Sequence, residues 1–216
     1  GPPRIFSWIQ SGEPWDRASE KIYPGGSFGN GAAMRIAPIG LLFYDDKQKL
    51  KEAAYQSSQI THAHILGKEG AALEAYAVGM AAADFSTDFD RDDFLSRLRD
   101  FVEEEIYREK LAKMRALLPD PEKERVVSEL GNGIEAFTAV PAAIFSFLAH
   151  PESFEKAVVY AIGLGGDTDT IGAMAGAISG AFLGVEAIPQ KWLSKLESRE
   201  YIENLAKALY EIKINP

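Results

Sequence analysis

Residues 171–185 form one apolar run in which Gly172, Gly176, Gly180 and Gly184 recur at intervals of four, with Ala173, Ala175, Ala177 and Ala181 between them. On a helix that spacing stacks the glycines on one face. Each interior glycine costs about 0.5–1 kcal/mol relative to alanine, so a row of them marks a face that another backbone approaches closely. Small residues at this spacing also mark membrane helices. The run stops at Glu186, however, short of the roughly 20 residues that a span requires. The expectation is the central helix of a compact, soluble all-α protein, with its first turn held in a crowded and rigid setting.

That first turn is Gly165-Gly166-Asp167-Thr168-Asp169-Thr170. Two glycines deliver the backbone into the helix, and Asp167 and Asp169 can aim oxygens at one point with Thr170 beside them. Carboxylate and hydroxyl oxygens, without nitrogen or sulfur, suit a hard cation such as Mg2+. The same residue types are favoured as plain N-caps, where they take free N–H groups and face the positive end of the helix dipole.

Helical spacing dominates the rest of the chain, and no alternating strand stands out. A short helix carries Ile5, Phe6 and Ile9 on one face and ends at Gly12. A second covers 14–22, opened by Pro14. An apolar helix over 32–42 is expected to bend at Pro38. Further helices are expected over 47–62, 70–83, 92–107, 110–118, 123–130, 134–148 (bent by Pro141), 152–164 and 201–212. Residues 84–125 are the expected solvent-facing excursion, with Glu103-Glu104-Glu105 as a solvated helix face. A chain of 216 residues fits a single helical domain over 1–216.

A net charge of −9 argues against a nucleic-acid partner. It leaves room for a phosphate-bearing small ligand, because backbone N–H groups hold phosphate without a basic patch. The absence of cysteine excludes disulfides, zinc–thiolate sites and cysteine nucleophiles. No signal peptide or membrane span is visible, so an intracellular, cytoplasmic protein with no membrane partner is expected.

The stretch Pro24-Gly25-Gly26-Ser27-Phe28-Gly29-Asn30-Gly31 feeds an apolar helix. Its glycines let backbone approach a ligand, Phe28 can stack on a flat base, and Ser27 and Asn30 can bond phosphate or ribose. It matches neither the Walker nor the dinucleotide pattern, and an irregular connector around a buried phenylalanine is the simpler alternative. Thr61-His62-Ala63-His64 ends a helix on which His62 and His64 face apart, which disfavours a two-histidine metal site. Gly131-Asn132-Gly133-Ile134 is either a helix stop and start or a pocket wall formed around Ile134. No nucleophile elbow supports Ser-His-Asp catalysis.

Together these segments resemble the ADP-ribosylglycohydrolase family, enzymes that remove ADP-ribose from modified proteins. The likeness rests on Gly26-Ser27-Phe28-Gly29-Asn30-Gly31-Ala32-Ala33-Met34-Arg35, Thr61-His62-Ala63, Glu129-Leu130-Gly131-Asn132-Gly133-Ile134 with Val140-Pro141, and above all Gly165–Thr170 with Met174-Ala175-Gly176. The glycine-rich segments look most like the branch acting on serine-linked ADP-ribose and its polymers. The resemblance implies a compact orthogonal helical bundle with a dinuclear Mg2+ site at the base of an ADP-ribose cleft. It implies Asp167, Asp169 and Thr170 as metal ligands, and a loop of Gly25, Gly26, Ser27, Phe28, Gly29, Asn30 and Gly31 around the diphosphate. Phe28 would stack on adenine, His62 would fix the diphosphate or ribose, and Ile134 would line the nucleoside side.

One departure matters. The family's remaining metal ligands form a Thr-Asp-Asp triplet with a glutamate nearby, and this chain has no equivalent: Thr87-Asp88 is followed by Phe89, and Asp92-Asp93 lacks the threonine. Either a separate amino-terminal segment completes the site, or this polypeptide does not assemble both ions. The implied activity is hydrolysis between the anomeric carbon of ADP-ribose and a protein side chain, or within the polymer. The carboxylates would be ligands, which leaves the proton-transfer group unassigned. The alternatives are a non-catalytic ADP-ribose-binding or structural relative, and an Mg2+-dependent diphosphate hydrolase.

Overall fold

The computed structural model describes residues 2–84 and 89–215. Thr87 and Asp88, compared above with the family's triplet, lie outside the described residues. Among those described, the regular elements are α-helices and short 3-10 turns, with no strand. The β-type pairing is an isolated antiparallel bridge between Gly29 and Glu135. The helices are α1 (Pro2–Gln10), α2 (Ala37–Leu42), α3 (Lys47–Gln59), α4 (Ile65–Ala83), α5 (Arg91–Phe101), α6 (Glu105–Leu117), α7 (Lys123–Leu130), α8 (Ala136–Ala149), α9 (Phe154–Gly163), α10 (Thr168–Leu183), α11 (Gln190–Leu193) and α12 (Arg199–Ile214). None is long and apolar enough to cross a membrane.

The centre of the molecule is α4. Gly67 and every residue from Glu69 to Ala81 are buried, as expected of a helix apolar on all sides. Helices α2, α3, α5, α8 and α10 pack around it. The glycine-rowed helix, expected at the centre, is instead one of this surrounding set, held between α4, α8 and α9. Its row is filled by side chains of α9. A methyl at Gly172 would come 3.2 Å from Ile162, one at Gly176 3.5 Å from Val158, and one at Gly180 3.6 Å from Phe154. Only the first is tight; Gly184 lies past the helix end at φ +77° with nothing within 4 Å. The close backbone crossing is elsewhere, where α2 meets α4: a Cβ on Gly40 would sit 2.3 Å from the Ala75 carbonyl oxygen.

Several boundaries differ from those expected, each for a tertiary reason. The 92–107 helix is broken in two. Buried Glu69 of α4 accepts the Glu103 N–H at 2.6 Å, and Val102 is extended (φ −80°, ψ 145°). Glu103 and Glu104 therefore belong to the joint before α6 and not to a solvated helix face. The described part of the 84–125 region is no excursion either: Phe94, Leu95, Leu98, Phe101, Tyr107, Leu111, Met114 and Leu117 are buried. Phe89 and Phe94 pack with Phe147 of α8, at 5.4 Å and 5.7 Å between ring centroids. Pro38 sits in the first turn of α2, where its missing N–H is no loss, so nothing is bent there. The 14–22 segment yields only a 3-10 turn over Ala18–Lys21. Helix α8 continues across Pro141. At the far end α12 buries no residue; Lys213 anchors it on Tyr44, 4.6 Å over the ring, and pairs with Asp45.

Candidate functional site

The chain between Tyr23 and α2 is shaped by what lies behind it. Gly26 has φ +88°, and a Cβ there would fall 2.1 Å from the His64 backbone nitrogen. Only glycine lets the loop lie flat on the 63–64 backbone. Ser27 Oγ accepts the Gly29 N–H at 3.2 Å, closing a local turn. The next residues pair with the start of α8: Asn30 N donates to Ile134 O at 2.9 Å and Ala136 N to Phe28 O at 2.9 Å. Phe28 is left 45% exposed, edge-on to His64 at 5.6 Å and tilted against Phe137 at 5.9 Å. The buried phenylalanine weighed above is therefore not what forms. Ile134 is 67% exposed.

The acidic helix start meets this loop. Gly165 and Gly166 both have positive φ, and a Cβ on Gly166 would lie 2.0 Å from the Asn132 carbonyl oxygen. That carbonyl accepts the Asp167 N–H at 2.9 Å, while Asn132 Nδ2 donates to Leu164 O at 2.8 Å. Asp167 occupies the N-cap position of α10, yet its side chain takes no helix amide. Its Oδ2 instead accepts from Asn30 Nδ2 at 2.6 Å. Asn30, 7% exposed, is thus a brace between loop and helix start. Asp169 is exposed and Thr170 buried. The plain-cap reading of Asp167 does not describe this arrangement.

These three side chains offer hard oxygen donors from one helix start, with Asp167 Oδ1 and the Asp169 carboxylate outside the brace. That chemistry fits part of a divalent-cation shell. An octahedral ion takes about six oxygens, and no group of three or more His, Asp or Glu able to hold a metal occurs among the described residues.

Thr61, His62 and His64 lie in the connection between α3 and α4, not on a helix. His64 caps α4, Nδ1 accepting the Leu66 N–H at 3.1 Å. His62 lies under the glycine loop: a methyl at Gly31 would come 2.9 Å from its Nε2, and one at Gly29 3.6 Å. Burial, and then the Arg35 charge, lower the His62 pKa to about 4, so the ring is neutral at physiological pH. Arg35 donates to Gly31 O and to Thr61 Oγ1, both at 2.7 Å. No local pattern signals the bracing roles of Arg35, Thr61 and Asn132, since Arg35 and Thr61 lie 26 positions apart and the other acceptors of Arg35 and Asn132 are backbone carbonyls. A separate cleft of about 610 Å3 between α3 and the α5–α6 joint shares none of these residues. Its Lys51 is already paired with Glu69 and Glu103.

Comparison with known proteins adds relatives to this geometry. The family model described as ADP-ribosylglycohydrolase matches residues 4–215. The chain is 40% identical over 214 residues to the ADP-ribosylhydrolase ARH3 of Mus musculus, covering 87% of this chain and 58% of that protein. It is 39% identical to ARH3 of Homo sapiens, covering 87% and 59%. An uncharacterized protein of Archaeoglobus fulgidus is 35% identical over 97% of this chain and 65% of its own length. The chain thus spans about 58% of the length of the mammalian relatives it matches.

Proposed function

The chain belongs to the ADP-ribosylglycohydrolase family, and from that premise we propose that it forms the ADP-ribose pocket of an Mg2+-dependent hydrolase that removes ADP-ribose from modified protein side chains or polymers. The observation that carries the reading is the Asn30–Asp167 bond. It joins a glycine loop suited to a diphosphate and a helix start suited to a cation into one wall. ADP-ribose has both features, a diphosphate beside a ribose whose hydroxyls can meet a metal. Relatives named ADP-ribosylhydrolase support the same substrate class.

The residues divide the work by position. Phe28, half exposed beside His64 and Phe137, offers its ring to the adenine. The backbone at Gly29 and Gly31 receives the diphosphate, with the neutral His62 ring beneath it. Ile134 gives the sugar side an apolar wall. Asp167, Asp169 and Thr170 would hold the cation, which when bound supplies Lewis-acid charge beside the bond that breaks. The carboxylates would serve as ligands, so a group other than these moves the proton.

A second reading, an ADP-ribose-binding protein without turnover, is favoured by one observation: the described residues bring oxygen ligands from a single helix start. One experiment separates the two. ADP-ribose is titrated by calorimetry, and its release from an ADP-ribosylserine peptide is followed with Mg2+ and with chelator. Mg2+-dependent release that Asp167→Ala abolishes supports the hydrolase; binding without release supports the second reading; absence of binding removes both.

A further inference from the structure

We propose that Arg35 is a positioning residue that acts through Thr61 to fix His62 as its Nε2–H tautomer, so that a hydrogen-bond donor and not a lone pair faces the glycine loop. The inference deepens the reading of that loop as a diphosphate site and rests on it for its purpose, though not for its geometry.

The argument follows one proton. A guanidinium can only donate. Arg35 Nη2 lies 2.7 Å from Thr61 Oγ1 and therefore occupies a lone pair of that hydroxyl. Thr61 is 3% exposed, so its own proton also needs a protein acceptor. His62 Nδ1, 2.8 Å away, is the acceptor the structure provides. An Nδ1 that accepts is unprotonated, and a neutral imidazole then carries its hydrogen on Nε2. Nε2 is the ring nitrogen nearer the position a methyl on Gly31 would take, at 2.9 Å against 3.9 Å for Nδ1. The N–H is thus delivered to the underside of the loop.

The opposite tautomer would donate from Nδ1 to Thr61 and turn the Nε2 lone pair toward the loop. Against an anionic diphosphate that arrangement is repulsive, whereas the Nε2–H is attractive without charging a half-buried ring. Arg35 biases the choice because its donation takes one of the two Thr61 lone pairs that could accept from an Nδ1–H and polarises the hydroxyl toward donating. The same guanidinium holds the Gly31 carbonyl at 2.7 Å, so one residue sets both the loop's height and the polarity of the ring beneath it.

The test reads the ring directly, by long-range 15N–1H correlation spectra of the ligand-free protein at neutral pH, together with ADP-ribose titration. The wild type is expected to show His62 protonated at Nε2 and bare at Nδ1. Thr61→Val removes the hydroxyl and Arg35→Met the guanidinium; each should convert the signal to a mixture of tautomers, and Thr61→Ser should restore the wild-type signal. ADP-ribose affinity should fall about tenfold in Thr61→Val, the effect of losing one hydrogen bond to a charged group, and recover in Thr61→Ser. A wild-type ring protonated at Nδ1, or a tautomer unchanged in both Thr61→Val and Arg35→Met, overturns the proposal. Should Thr61→Val not fold, Arg35→Met decides alone. A wild type that keeps the Nε2–H tautomer but does not bind ADP-ribose would refute the functional reading and leave the tautomer assignment standing.

Discussion

Asn30 Nδ2 lies 2.6 Å from Asp167 Oδ2, a contact between residues 137 positions apart in the chain. It holds the glycine loop against the start of α10 and gives the Asp167 carboxylate its one protein donor among the described residues. Asn30→Ala should therefore destabilise the protein by about 1–3 kcal/mol, the cost of leaving a charged group without its partner. Urea denaturation measures the loss. ADP-ribose affinity should fall with it, whereas Asn30→Asp should be worse than alanine because two carboxylates then face each other.

The two kinds of glycine in this site region should respond differently to a methyl. Gly166→Ala drives a Cβ to 2.0 Å from the Asn132 carbonyl oxygen at φ +68°, so a loss of about 3 kcal/mol or more is expected. Gly176→Ala meets Val158 at an ordinary 3.5 Å inside α10. It should be neutral or stabilising by up to about 1 kcal/mol, because helix propensity improves. Thermal unfolding of the two variants side by side checks the contrast.

His62 sets an acid limit on stability. Its pKa falls from 6.5 to about 4 on folding, so between those values the unfolded chain binds the extra proton. The contribution is complete above pH 6.5 and is lost as pH falls toward 4. The full displacement corresponds to about 3 kcal/mol; the ring is partly open to solvent, so about 2 kcal/mol is expected after screening. The difference between wild type and His62→Gln in denaturation midpoints across pH 4–8 isolates this change. Its absence would mean the ring titrates normally.

Glu74 acts in the opposite direction. Both its oxygens are buried without a hydrogen-bond partner among the described residues, and burial raises its pKa well above the ordinary carboxylate value. Here the folded state holds the extra proton, so the contribution is present at acid pH and is lost as pH rises above the unfolded carboxyl's value near 4.5. Glu74→Gln should flatten this alkaline-going decline. Glu74→Met, of similar length and without orphaned oxygens, should stabilise by about 1–3 kcal/mol at neutral pH. Stability curves of the three proteins from pH 4 to 9 decide it.

Asp169 is exposed, and its side chain has no hydrogen-bond partner among the described residues. Asp169→Ala should alter unfolding free energy by less than about 1 kcal/mol, mainly through the lost charge at the start of α10. Mg2+ binding measured by calorimetry should nevertheless be abolished or weakened at least tenfold, because a hard-cation ligand is gone. Retention of full Mg2+ affinity would separate Asp169 from the cation.

Much of the architecture was legible because helices announce themselves locally. The spacing of apolar residues, the glycines before Asp167 and those around Phe28 all act within a few positions, and they fixed an all-α chain with an acid–hydroxyl helix start and a glycine loop. The centre was not legible from the same signals. The glycine row of 172–184 suggested the tightest packing, yet α9 side chains fill it and the close crossing occurs at Gly40 and Ala75. Isolated glycines there carry no period to notice.

The sequence by itself determined which residues are available to the proposed site: oxygen-bearing side chains at Asp167, Asp169 and Thr170, and a glycine-rich backbone at residues 25–31. Only the tertiary structure decided that Asn30 braces Asp167, that Glu69 breaks the chain before α6, and that Arg35 and Thr61 stand behind His62. The physical reason is range. Backbone propensity and side-chain periodicity are properties of neighbours along the chain, whereas a donor's acceptor and a charge's partner are settled by whichever distant element folding brings within about 3 Å.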